Sequence, residues 1–188
     1  QDRILISPSF GGDADAWVLG CYDGNGAKGE MVAEMAAFEI VEALAAKKNP
    51  ESMSRALIES FKIANENVNK KAFSATSGAT ATVVHVKGAK VHCANVGDSK
   101  ACRIVDTGSE WASDAITKPH LPTTPDERTR IESMGGHVLD DAESLGAARV
   151  FDNPDPLSQI IQMQQLAGGM SGGGMGGMGG MGGMGGMG

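Results

Sequence analysis

Residues 22–30 read YDGNGAKGE, and three signatures overlap on them. Gly24-x-Gly26-x-x-Gly29 has the spacing of a dinucleotide-binding turn. Asp23-x-Asn25, with Glu34 in the twelfth place, has the outline of a calcium loop. Asp-Gly-x-Gly behind the apolar run Ala16–Tyr22 also sets a carboxylate at the end of a strand, a position suited to a metal ligand. The calcium loop fails on its own residues, because Ala27 and Lys28 stand where an oxygen ligand and a glycine are needed. The element before it also reads as a strand, where a helix is required. The dinucleotide turn has the right order of strand, glycines and helix. It then needs a parallel strand ending in an acid roughly 20 residues on, and that interval reads as helix followed by a second helix. It stays as the minor alternative.

The rest of the chain bounds the choice. A net charge of -7 and a pI near 5.0 argue against nucleic acid or an anionic membrane as the main partner. No apolar run reaches the length of a membrane span, so no membrane insertion is expected. "QDRILISPSF" carries no leader pattern, and its opening without Met points to a processed product or a piece of something longer. The three cysteines, Cys21, Cys93 and Cys102, are odd in number, have no C-x-x-C spacing and fall in strand-like stretches. They are expected to be small buried hydrophobes in a reducing, intracellular compartment. The four histidines form no H-x-x-x-H pair, which argues against zinc.

Periodicity predicts strands over 3–7 and 16–22, then a helix from Glu30 to about Lys47, ended by Asn49-Pro50. Met31, Met35, Phe38, Val41 and Leu44 are expected on its core face. A second helix, about Glu51 to Lys71, carries a stripe of Leu57, Phe61, Ala64 and Val68, with Ile58 alongside. Residues 78–105 are rich in β-branched side chains and broken at Lys87-Gly88-Ala89-Lys90 and Gly97-Asp98. They read as a hairpin and a third strand, and the apolar run Ala81–Val86 predicts strands covered on both faces. Thr124 is placed to cap a short helix with Pro125 in its first turn and Gly135-Gly136 at its end. "HVLD" reads as one more strand. Gly168 to Gly188 is almost entirely Gly and Met, too poor in side chains to fold alone and similar in composition to the Gly-Met tails of chaperonins.

Four blocks then occur in order: "QD" at 1–2, "DGNG" at 23–26, "SGATATVVHVKGAKVHCANVGDSKACRI" at 77–104 and "TKPHLPTTPDERTRIESMGGHV" at 117–138. With them the chain resembles the metal-dependent protein serine/threonine phosphatases of the PP2C (PPM) family, in particular the plant-type branch, over the N-terminal to central part of that domain. The resemblance implies an α+β sandwich, two antiparallel sheets packed face to face and flanked by helix pairs. It divides the chain into a partial PP2C-like domain at 1–152, a connecting segment at 153–167 and a Gly/Met-rich flexible tail at 168–188. It also implies two Mn²⁺ or Mg²⁺ ions that activate a water for attack on phosphoserine or phosphothreonine. Asp23 would bridge the ions and the Gly24 carbonyl would bind one of them. Asp2 would sit beside them, as a ligand directly or through water. Asp98 falls where the family holds a third, weaker ion, and is equally readable as a turn former.

Three departures from the pattern shape the functional expectation. Asn25 stands where the family has a histidine that protonates the leaving hydroxyl, so no catalytic residue is assigned. An amide donates a hydrogen bond but supplies no proton near neutral pH, and general acid catalysis is worth about 10² to 10⁴ in rate. The family's phosphate-gripping arginine lies upstream of "QD", and Arg3 does not match it. The later Ser-Asp-Gly and Asp-Asn aspartates have no counterpart, since Asp152-Asn153 comes too early and lacks the surrounding residues. The expectation is a degenerate phosphatase module that binds a phosphoprotein or protein partner as part of a larger assembly. The alternative is an active Mn²⁺/Mg²⁺-dependent phosphatase whose remaining ligands lie outside this chain.

Overall fold

The computed structural model describes residues 1–47, 50–140 and 148–151. Asn49, Asp152-Asn153, the connecting segment and the Gly/Met tail lie outside the described residues. In chain order the elements are β1 (Arg3–Ser7), β2 (Ala16–Tyr22), β3 (Gly24–Gly26), α1 (Gly29–Ala45), α2 (Met53–Asn69), β4 (Ser77–Ala79), β5 (Ala81–Lys87), β6 (Lys90–Val96), β7 (Cys102–Asp106), β8 (Trp111–Ala115), α3 (Pro125–Ser133), β9 (His137–Leu139) and β10 (Arg149–Phe151). A four-stranded antiparallel sheet runs β1-β2-β5-β6, and β3-β4, β7-β8 and β9-β10 form two-stranded pieces. The expected strands and hairpin are all present, and β3, β4, β8 and β10 are added to them. The β5–β6 turn passes through Gly88 at φ 55, a left-handed conformation that glycine adopts without a Cβ penalty.

The helices α1 and α2 pack on each other and on one face of the large sheet. Val18, Tyr22 and Val83 from the sheet meet Ile40 and Leu44 from α1 and Leu57 from α2. The face of α1 differs from the expected one. Val32, Ala33, Ala37, Ile40 and Leu44 point inward, whereas Met31 is 42% exposed and Phe38 62% exposed. The alanines decide this, because their small side chains let the helix backbone approach sheet and α2 closely. The bulky residues turn instead to a side groove shared with Ile4, Leu5 and Phe73. The stripe of α2 holds at Leu57, Ala64 and Val68, with Phe61 half-buried and Ile58 exposed. Ser52 caps α2 by accepting from the Arg55 N–H at 3.4 Å.

The opposite face of the sheet is open. Register aligns Trp17 with Val86 and Val91, and Leu19 with Ile6, Val84 and Cys93, on that one face. Ile4 is 76% exposed there and Trp17 42%. The expectation of strands covered on both faces is therefore corrected, since helices cover one face only. The cysteine expectation is corrected with it: Cys21 and Cys102 are exposed and Cys93 is half-buried. Strand alternation sends Cys21 outward while its neighbours Gly20 and Tyr22 turn to the core.

Helix α3 begins at Pro125 with Thr124 in the N-cap position, but the Thr124 side chain makes no capping bond. Its hydroxyl donates to the Leu121 carbonyl at 2.8 Å. The C-terminus closes as the sequence suggests. The Gly136 N–H bonds the Ile131 carbonyl, the Gly135 N–H bonds the Glu132 carbonyl, and Gly135 sits at φ 84.

Candidate functional site

Antiparallel pairing of β1 with β2 sets Arg3 opposite Tyr22, so the residues just beyond each, Asp2 and Asp23, leave the same end of the sheet. Asp23 is then pinned through its backbone. Its N–H donates to the Thr80 hydroxyl at 3.0 Å, and its carbonyl accepts from the Thr80 N–H at 2.9 Å. The same hydroxyl bonds the Ser99 hydroxyl at 2.7 Å. One threonine therefore ties the Asp23 strand end to the loop that carries Asp98. Gly97, at φ 90, allows that approach, because a Cβ there would lie 2.7 Å from Thr80 Cγ2. His120 holds the loop from the other side, its N–H donating to the Gly97 carbonyl at 2.9 Å.

The Asp23 carboxyl senses its neighbours. The Asp23 carboxyl is pushed above its ordinary range, first by partial burial, then by the charge and hydrogen bonding of Asp2, then by the charge of Asp98, with the chain's N-terminal amine opposing. Gly24 is buried behind Asp23, and a Cβ on it would strike Gly29 and lie 2.9 Å from the Gln1 carbonyl oxygen. Asn25 is exposed on β3 opposite Gly78. Arg3 donates to the Asp2 carbonyl at 3.0 Å and to the Glu34 carboxylate at 3.4 Å.

Asp2, Asp23 and Asp98 thus share a neighbourhood, with Gly24 beside them. Carboxylates gathered at one end of a sheet are the donor chemistry of a hard divalent cation. The set does not close, however. Among the described residues no group of three or more His, Cys, Asp or Glu is placed to hold an ion. Sequence reading missed Thr80 and Ser99. Their signal lay inside "SGATA" and "GDS", but a hydroxyl bridge between two distant loops shows only when the strands are paired.

Comparison with known proteins identifies the family. The sequence profile of protein phosphatase 2C matches residues 1–154. A probable protein phosphatase 2C 35 of Arabidopsis thaliana is 29% identical over 151 residues, covering 77% of this chain and 43% of the relative. An integrin-linked kinase-associated serine/threonine phosphatase 2C of Bos taurus is 36% identical over 95 residues, covering 47% of this chain and 26% of the relative. The chain spans less than half the length of either. In fold it is similar to the crystal structure of serine-threonine phosphatase 2C from Toxoplasma gondii, with a TM-score of 0.63 and 18% identity over 89% of this chain and 58% of that one. With a paired β1–β2 end that carries "QD" and "DGNG", a bridged "GDS" loop and a matching profile over most of its length, the chain belongs to the protein phosphatase 2C family.

Proposed function

We propose that this chain is a PP2C module with an incomplete catalytic centre, acting by binding a phosphoprotein or protein partner within a larger assembly. One observation carries the reading: Asn25, an amide with no proton to give, stands exposed two residues from Asp23, the acid on which the charges of Asp2 and Asp98 act. In this reading Asp23, Asp2, the Gly24 carbonyl and Asp98 hold Mn²⁺ or Mg²⁺ weakly. When bound, such ions lower the pKa of water and orient phosphate. Asn25 orients an oxygen by donating a hydrogen bond and transfers no proton. Domain boundaries follow the same proposal, with the module at 1–152, a connecting segment at 153–167 and the tail at 168–188.

The second reading is an active Mn²⁺/Mg²⁺-dependent phosphatase completed by ligands outside this sequence. The charges of Asp2 and Asp98 beside Asp23 favour it, because carboxylates held near one another suit a cation. A dinucleotide-binding role draws no support, since among the described residues no βαβ unit follows Gly24.

The test is turnover of an aryl phosphate and a phosphothreonine peptide in millimolar Mn²⁺ and in chelator, for the chain, Asp23→Ala and Asn25→His. The expected result is turnover at the chelator baseline for all three. Mn²⁺-dependent turnover that Asp23→Ala abolishes would overturn the binding-only reading. A rise of about 10² or more on Asn25→His would assign the deficit to the missing acid alone.

A further inference from the structure

Gly26 ends the short strand β3 in a backbone conformation that only glycine holds easily. Its φ is 82, and a Cβ there would lie 2.3 Å from the Thr76 carbonyl oxygen and 2.8 Å from Ser77 Cα. The fold therefore requires a glycine directly after Asn25. That requirement carries a chemical consequence. A glycine nitrogen has no side chain to shield it, and it can attack the carboxamide of a preceding asparagine to close a five-membered ring.

Both reacting groups are free. Asn25 is exposed, and its carboxamide has no hydrogen-bond partner among the described residues. The freedom of the Gly26 N–H follows from the parity of the ladder. Thr80 donates to the Asp23 carbonyl, so these two form one narrow pair and Asn25 with Gly78 the next. Gly26, opposite Ser77, falls at a wide pair, where the N–H points away from β4. The ribbon has two strands, so among the described residues no third strand accepts on that side. Asp23-Gly24, two residues earlier, is held the opposite way. Thr80 fixes Asp23 at both its N–H and its carbonyl, and Gly24 is buried against Gly29 and Gln1.

Extended backbone keeps the Gly26 nitrogen away from the carboxamide carbon, so ring closure needs the ribbon end to swing. The Lys28 N–H, which donates to the Ser77 hydroxyl at 2.9 Å, resists that motion. Strands of only three residues open locally, without unfolding of the whole chain.

We propose that Asn25-Gly26 is a site of self-modification, at which the folded chain deamidates and gains an acid beside Asp23. The Gly26 nitrogen bonds to Asn25 Cγ and loses its proton, while the Cγ–Nδ2 bond breaks and ammonia leaves. Water then opens the imide. Cleavage at the side-chain carbonyl leaves aspartate at position 25, and cleavage at the main-chain carbonyl leaves isoaspartate. Either product makes the net charge of -7 one unit more negative. Asn25 is two residues from Asp23 in extended chain, so the new carboxylate joins the face that Asp23 occupies. Isoaspartate also adds a carbon to the main chain of β3, which displaces Gly26 from its register with Ser77.

The test follows mass and needs no turnover, so it stands apart from the phosphatase assay. The full chain is aged in mildly alkaline buffer made with heavy-oxygen water, then peptide-mapped by mass spectrometry. Position 25 is expected to convert to acid with uptake of heavy oxygen, isoaspartate exceeding aspartate. Asn67, whose amide bonds Glu39 and Lys70, and Asn95 remain amides. Ser77→Ala is expected to speed the conversion about fivefold, the gain in local opening on loss of one hydrogen bond. Asn25→Gln arrests it, because the longer side chain must close a six-membered ring. Circular dichroism verifies that both variants keep the fold. Retention of the amide at position 25 in the folded chain, equal conversion at Asn95, or a rate unchanged by Ser77→Ala overturns the proposal.

Discussion

Tyr22 shows how single positions are constrained by neighbours two residues away. Its ring is fully buried, and a Cβ on Gly20 would lie 2.6 Å from both the ring and the hydroxyl oxygen. Glycine at 20 is therefore the space into which the tyrosine folds. The hydroxyl finds no hydrogen-bond partner among the described residues, and burial pushes its pKa far above the ordinary value. A buried unpaired hydroxyl costs roughly 1–3 kcal/mol. Tyr22→Phe is expected to leave stability unchanged or raise it by about 1 kcal/mol, read as a higher urea midpoint; a fall of that size would mean the hydroxyl is satisfied in solution. At this scale the acids were legible in the sequence, because Asp-Gly-x-Gly and Gly-Asp-Ser are local strings. Thr80 was not, because its value lies in two partners, one 57 and the other 19 residues away.

At the scale of elements, strands read well and the face of α1 did not. Hydrophobicity ranks Met31, Met35 and Phe38 above Ala33 and Ala37, so a pattern of bulk points the helix the wrong way. Close approach of backbones ranks them in reverse. Strand β8 escaped for a related reason, since "WASDA" is mostly exposed and shows no β-branched or alternating pattern. The two faces of α1 should separate cleanly by substitution. Ala37→Leu is expected to destabilise by about 1–3 kcal/mol through overpacking. Phe38→Ala is expected to cost less than about 1 kcal/mol. Chemical denaturation of both variants decides it, and the reverse order would restore the bulky stripe as the core face.

For the whole molecule, the unequal faces of the main sheet dominate. Helices cover one, while Ile4, Ile6, Trp17 and Leu19 stand on the other at the surface. A contiguous apolar patch rimmed by polar residues marks an interaction surface or an aggregation hazard. The 188-residue chain is accordingly expected to self-associate with rising concentration. Sedimentation velocity should show a larger weight-average species for the chain than for Ile6→Lys/Trp17→Glu. A monomer over the whole accessible range would show that the patch is covered in solution.

The hydroxyl of Thr80 has one more consequence, for the order of events during folding. It joins Asp23, at the end of the second strand, to Ser99, beyond the sixth. Bringing such distant positions together is entropically costly until intervening structure shortens the path. Pairing of β1 with β2 brings Asp2 to Asp23 locally, and Asp98 is the member of the cluster that depends on this distant closure. A chain growing from its first residue carries Asp2 and Asp23 long before the loop that steadies them exists. The chemistry of this end of the molecule begins only when the central hairpin has docked.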